Sequence, residues 1–208
     1  ELGHYYARQE DDKESAKGRY ETACNGKALE ACMALGQFYG AEEPTDAIKW
    51  YEKACYGGNP KGCTELALLE SNEKDSLVML QKACKEQDPS GCFHLANRST
   101  GEVAKGLYEK SCNSGFKAAC FVRSCNDNDA VACVSLANSH LNEVELKKDP
   151  SQSVKYFQKS CDLGSDQGCV GLGLALLSGS GIDANPDRGK ELIKQYCNTK
   201  KVDSCTVL

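Results

Sequence analysis

Residues 47–63 read Ala47-Ile48-Lys49-Trp50-Tyr51-Glu52-Lys53-Ala54-Cys55-Tyr56-Gly57-Gly58-Asn59-Pro60-Lys61-Gly62-Cys63. Two cysteines bracket a stretch rich in turn-forming residues. On one continuous helix, eight residues at about 1.5 Å rise would hold the two Cα atoms roughly 12 Å apart. A disulfide needs them within about 7 Å. If the pair is bonded, the chain must turn back between its members. Gly57, Gly58, Asn59 and Pro60 supply the turn. Gly and Asn tolerate the left-handed conformation that ends a helix, and Asn caps the next one. The stretch predicts helix, tight turn and helix, stapled across the turn.

The same interval occurs seven times: Cys24/Cys32, Cys55/Cys63, Cys84/Cys92, Cys112/Cys120, Cys125/Cys133, Cys161/Cys169 and Cys197/Cys205. These pairs use all 14 cysteines. Their flanks agree. Four residues before the first cysteine stand Tyr20, Tyr51, Leu80, Tyr108, Phe121, Phe157 and Ile193, all large and apolar. Eight before it, in the longer units, stand Ala16, Ala47, Ser76, Ala104, Ser153 and Gly189, all small. Three after the second cysteine come Leu35, Leu66, Leu95, Leu136, Leu172 and Leu208, with Arg123 the exception. The residue just before the second cysteine is always Gly, Ala or Ser. These offsets trace one face of an α-helix, and small residues opposite large ones let two helices approach closely. A self-similar period makes the chain a repeat array.

Composition narrows the field. Apolar residues make up 40% of the chain, adequate for a core shared between neighbouring repeats. The net charge is −5 with both signs scattered, so the footprint of a nucleic-acid binder is missing. No apolar run is long enough for a membrane span. Fourteen cysteines in local pairs argue for an oxidising compartment, hence a periplasmic or secreted protein. Zinc is the competing use of cysteine. Its ligand pairs usually stand two to four residues apart, and only His4, His94 and His140 could assist. The spacing favours disulfides, with no metal and no cofactor.

In chain order, helices are expected near 12–24 and 28–40, 45–55 and 60–70, 74–84 and 89–98, then 102–112 and 116–125. Later ones fall near 129–142, 150–161, 166–178 and 187–197, with a short helix after 201. Residues 1–9 read as the second helix of a unit whose cysteine would lie upstream, because Leu2, Gly3 and Tyr6 match Leu35, Gly36 and Tyr39. First cysteines are separated by 31, 29, 28, 13, 36 and 36 residues. Only Phe-Val-Arg-Ser separates Cys120 from Cys125, so one helix is expected to serve two units. The domain reading is a single array over 1–208 with an irregular, shortened unit near 112–133, where a kink or change of curvature is expected.

These residues carry a resemblance. Ala47-Ile48-Lys49-Trp50-Tyr51-Glu52-Lys53-Ala54 before the turn and Leu35-Gly36-Gln37-Phe38-Tyr39 after it resemble the Sel-1-like repeat. The loop Gly179-Ser180-Gly181-Ile182-Asp183-Ala184-Asn185-Pro186-Asp187 is similar to that family's Gly-x-Gly-Val-x-x-Asp connection. The Cys-x7-Cys staple resembles the cysteine-rich bacterial subgroup typified by the Helicobacter cysteine-rich proteins. The resemblance implies an all-α fold, an α/α superhelical solenoid of helix-turn-helix repeats related to tetratricopeptide arrays. It implies a scaffold that grips a protein or peptide in a concave groove, in the bacterial envelope or outside the cell, as an adaptor or immunity protein. If the array coils as its family does, Lys49 and Lys53 line the concave face. The 28–31-residue units and the doubled helix depart from the family's regular period.

Catalytic readings are weaker. A nucleophilic thiol needs an unpaired cysteine beside a base, and none is left over. The resemblance also implies a weak β-lactam-binding protein with slow β-lactamase activity as the alternative. The serine signature Ser-x-x-Lys occurs as Ser71-Asn72-Glu73-Lys74 and Ser114-Gly115-Phe116-Lys117, without its companion motifs. Gly179-Ser180-Gly181 before a helix is superficially like a phosphate loop, but no strand precedes it. It reads as a connection between repeats.

Overall fold

The structure is a computed structural model that describes residues 13–40, 43–143 and 145–197. Among these residues there are twelve helices and no strand, packed in sequence as a repeat solenoid. Two compact units divide the chain, Glu1–Ser114 and Gly115–Leu208. The first holds α1 (Lys13–Asn25), α2 (Leu29–Tyr39), α3 (Pro44–Gly57), α4 (Pro60–Leu69), α5 (Glu73–Lys85), α6 (Pro89–Ala96) and α7 (Gly101–Asn113). The second holds α8 (Lys117–Asn126), α9 (Ala130–Asn142), α10 (Pro150–Asp162), α11 (Asp166–Ser178) and α12 (Pro186–Cys197). Within each unit every helix packs on the next. The helix expected over residues 1–9 and the short helix expected after 201 lie outside the described residues.

One turn is used again and again. The third residue after the first cysteine adopts positive φ at Lys27 (69°), Gly58 (104°), Gln87 (69°), Gly115 (94°), Asn128 (67°) and Gly164 (85°). The next backbone N–H then reaches back to the carbonyl of the residue just before that cysteine. Asn59 N donates to Ala54 O at 2.9 Å, Asp88 N to Ala83 O at 2.9 Å, and Ser165 N to Ser160 O at 3.0 Å. This back-bond closes the helix end, satisfying a carbonyl the helix leaves open. The same residue caps the following helix. Asn59 accepts from Gly62 N, Asp88 from Gly91 N, Asp129 from Val131 N and Ala132 N, and Ser165 from Gly168 N. Such caps contribute about 1 kcal/mol each.

The turn brings the cysteines together. Cys24–Cys32, Cys55–Cys63, Cys84–Cys92, Cys125–Cys133 and Cys161–Cys169 are bonded, with Cα atoms 4.9, 4.5, 4.4, 4.7 and 4.5 Å apart. Cys112 and Cys120 are in disulfide form as well. Closing a loop of this size stabilises by roughly 2–3 kcal/mol in the loop-entropy picture. The pairing expected for Cys197 and Cys205 involves Cys205, which lies outside the described residues.

Small residues set the approach of paired helices. A Cβ on Gly62 would stand 2.7 Å from Ala54 Cβ, and one on Gly91 2.7 Å from Ala83 Cβ. The offset three past the second cysteine supplies the core. Leu35, Leu66 and Leu136 are fully buried, and each such side chain contributes about 1.5–3 kcal/mol. Helix α8 carries both Cys120 and Cys125 on ten residues. Five residues apart on a helix means about 140° of rotation. Cys125 is accordingly buried while Cys120 is half-buried.

The loop after α11 is held at both ends. Gly179 ends α11 at φ 71° with its N–H on Ala175 O. Asn185 N donates to Leu176 O, and the Asn185 side chain accepts from Arg188 N at 3.1 Å to start α12. Between them Gly181, at φ 75°, lies directly against the backbone of Pro150 and Ser151. The loop is a connection between repeats, pinned to the start of α10.

Candidate functional site

The residue two before the first cysteine sits in the last turn of each first helix. It is Lys53, Lys82, Lys110 and Lys159 in four units and Arg123 in another. A lysine there is placed to reach backwards along the array. Lys82 Nζ donates to Cys55 O at 3.0 Å, and Lys110 Nζ donates to Cys84 O at 2.7 Å. Lys53 Nζ donates to Asn25 Oδ1 at 2.8 Å, at the end of α1. Each of these three lysines thus serves the C-terminal end of the preceding unit's first helix, where open carbonyls concentrate negative partial charge.

Two of these lysines, and two others, lie over aromatic rings. Lys53 Nζ is 4.5 Å and Lys49 Nζ 5.5 Å from the Trp50 ring centroid. Lys82 Nζ is 5.5 Å from the Tyr56 ring, and Lys17 Nζ is 5.3 Å from the Tyr39 ring. Ring quadrupoles attract such cations by about 0.5–1 kcal/mol at exposed sites. Trp50 is buried beneath its two lysines, whereas Tyr56 is 71% exposed. Beside Trp50, Tyr51 lies in the space left by Gly36. Burial, and then the Glu65 carboxylate, push the Tyr51 hydroxyl up to about 12.

Lys49 and Lys53, the residues singled out by sequence, both lie on α3 and are exposed, with their ammonium groups over the Trp50 ring. Lys53 also borders a cleft of about 390 Å³ with Asn25, Lys27, Leu29, Gly57 and the Cys24–Cys32 disulfide. Two cations, a polar amide and an apolar floor therefore converge at the first stapled turn. Lys27, Lys82, Lys110 and Tyr56 were not singled out by sequence reasoning. The recurrence of a basic residue two before the cysteine was the signal available.

Comparison with known proteins places this geometry. The Sel1 repeat family matches residues 29–59, 130–165 and 166–196. The chain carries Sel1 repeats. Among solved structures it is similar to a protective antigen of uropathogenic Escherichia coli with an SLR fold, at 19% identity and a TM-score of 0.53. That match covers 99% of this chain and 50% of the antigen, so the chain spans half the antigen's length. A Sel1 repeat protein from Oxalobacter formigenes matches at 19% identity and a TM-score of 0.48, covering 100% of this chain and 88% of that one. Helicobacter pylori cysteine-rich protein B matches at 21% identity and a TM-score of 0.36, covering 81% and 97%. At 19% identity the likeness to the antigen concerns the fold alone. No curated protein matches the chain.

The other candidates from the sequence fall as follows. Ser71 is exposed in the bend before α5, where Asn72 caps the helix through Lys74 N. Ser114 is exposed at the end of α7. His94 and His140 are half-buried, and His4 lies outside the described residues. His140 stacks on Tyr156 with ring centroids 5.8 Å apart, and burial lowers its affinity for a proton. Among the described residues no cluster of His, Cys, Asp and Glu is placed to hold a metal, and no helix is long and apolar enough to cross a membrane.

Proposed function

We propose that the chain is a non-enzymatic repeat scaffold that grips a protein or peptide outside the cytoplasm, as an adaptor or immunity protein of the bacterial envelope or exterior. In this reading residues 1–208 form one continuous array. The gripping surface in the first unit includes Lys49 and Lys53. The observation that carries the reading is the convergence of Lys27, Lys53 and the Cys24–Cys32 staple around one cleft, with Lys53 seated over the Trp50 ring. A concentration of cations on a chain of net charge −5 is a local feature, suited to an acidic side chain or a carboxylate. Tyr56, exposed beside Lys82, is of the residue type enriched among interface anchors. The disulfides support this compartment, since cysteines held bonded in unit after unit persist where thiols are not kept reduced.

The test is capture from the envelope fraction of the source cell, followed by calorimetric titration of the purified partner. The double substitution Lys49→Glu and Lys53→Glu is expected to weaken binding at least tenfold with the helical circular dichroism unchanged. A partner bound equally by both proteins would refute the placement of the surface. A partner found only in the cytoplasmic fraction would refute the compartment.

A further inference from the structure

The second unit contains a cavity of about 460 Å³ between α9, α10 and α11. Its walls are largely apolar, with Val134, Leu141, Val154, Phe157, Val170 and Leu174 prominent. Asn138, Gln167, Ser178 and Ser180 add to its polar lining, and no acidic or basic side chain is among the lining residues. One wall residue is out of keeping with a packed core. Ser153 is 1% exposed, and its hydroxyl has no hydrogen-bond partner. Buried hydroxyls are ordinarily paired, and an orphan calls for an explanation.

The repeat itself supplies a comparison. Ser153 stands eight residues before Cys161, as Ser76 stands eight before Cys84. Ser76 is fully served. Its hydroxyl donates to Ala67 O and accepts from the Arg98 guanidinium. Arg98 is the sixth residue after Cys92, and the sixth after Cys169 is Ala175, which lines the cavity. Arg98 lies just past the end of α6, whereas Ala175 lies within α11, so the two backbones differ. The consequence is the same in kind. Where the earlier repeat fills the space beside its serine with a long donor, the later one leaves room and an unpaired hydroxyl.

We propose that this cavity is a binding site for a small, uncharged, mainly apolar molecule that carries one hydrogen-bonding group for Ser153. The volume is that of a small-molecule pocket, commonly about 300–1,000 Å³. The uncharged lining disfavours an anion or a cation, whose desolvation nothing there would repay. An extended peptide would bring a donor and an acceptor per residue against largely apolar walls. The site lies wholly in the second unit, and its residues are distinct from those of the lysine cleft in the first.

The probe is N-phenyl-1-naphthylamine, which is uncharged, apolar and has a single N–H. Added to the oxidised full chain, it is expected to show saturable fluorescence enhancement with a Kd of about 10–100 μM. Ala175→Arg, which fills the cavity, is expected to weaken binding at least tenfold. Ser153→Ala is expected to weaken it threefold to tenfold, while 1-benzylnaphthalene, which lacks the N–H, binds both proteins alike. The anionic relative 1-anilinonaphthalene-8-sulfonate is expected to bind at least tenfold more weakly. Circular dichroism checks that each variant is folded, and Ser153→Ala carries the test should Ala175→Arg fail to fold. Absence of saturable binding would overturn the proposal, as would equal binding by Ser153→Ala or equal affinity for the anion. A dimer of the native chain that dissolves on Ala175→Arg would assign the cavity to a second copy and overturn it as well.

Discussion

Replacing Gly181 by alanine separates two costs that usually come together. Gly181 has φ 75°, where an L-residue pays roughly 1–2 kcal/mol for its Cβ. An added Cβ would also overlap the Pro150 carbonyl group and stand 2.7 Å from Ser151 N. Those are backbone atoms at the start of α10, already fixed by the Asp149 cap that accepts from Ser151 N and Gln152 N. They cannot swing aside as a side chain would. Relief requires the loop to lift, and lifting withdraws Ile182 from the cluster it shares with Val154, Phe157 and Leu176. Partial exposure of a half-buried isoleucine costs about 1 kcal/mol. Gly181→Ala should therefore destabilise by about 2–4 kcal/mol. Gly58→Ala provides the reference. Gly58 has φ 104° but nothing within 4 Å of its added Cβ, so only the conformational cost of about 1–2 kcal/mol applies. Urea unfolding of both oxidised variants, followed by circular dichroism, gives the two values from their midpoints at common slope. If Gly181→Ala costs no more than Gly58→Ala, the loop is not pinned to α10 and the reasoning fails.

Two further predictions concern the turns and the core. Gln87 occupies a left-handed position that Gly58, Gly115 and Gly164 fill without strain, so Gln87→Gly is expected to raise stability by up to about 1 kcal/mol, read as a higher urea midpoint. No change or a loss would mean that the Gln87 side chain contributes more than its backbone costs. Tyr51 keeps its proton up to about pH 12 in the folded protein but ionises near 10 when unfolded. The unfolded state thus binds fewer protons between these values, and stability falls as pH rises from 10 to 12. Tyr51→Phe is expected to flatten that part of the pH–stability curve, and an unchanged slope would refute the assignment.

How much of this was legible in the sequence differs from feature to feature. The turns were the easiest, because cysteine spacing, a left-handed position and a cap coincide within a few residues. Six of the expected cysteine pairs are found as disulfides. The seventh expected pair includes Cys205, which lies outside the described residues. The second helix of the second pair was expected over 60–70 and runs Pro60–Leu69. The close crossings at Gly62 and Gly91 follow from the small-residue offset. Lys27 and Gln87 at positive φ were not foreseeable from their residue types, since neither favours that region. There the shared geometry of the turn overrides local preference. The backward-reaching lysines were visible as a recurrence, but a charged residue near a helix end reads equally as a solvated one. Only the repeat distance, which brings Cys55 O beneath Lys82, tells the two apart. The pairing of Ser76 with Arg98, and the solitude of Ser153, depend on side-chain reach over 22 residues of chain and on where a helix stops.

The stapled turns also bear on how the chain would meet proteases. Surface turns are where nicking concentrates, and Lys85, Glu86 and Gln87 are exposed between Cys84 and Cys92. Cleavage there would sever the peptide chain but not the molecule, because both new ends stay tied through Sγ atoms whose Cα atoms are 4.4 Å apart. The two helices would keep their common core, and the nick would appear only after reduction. Exposed peptide bonds inside the stapled turns are thus ones whose loss leaves the rest of the chain in one piece.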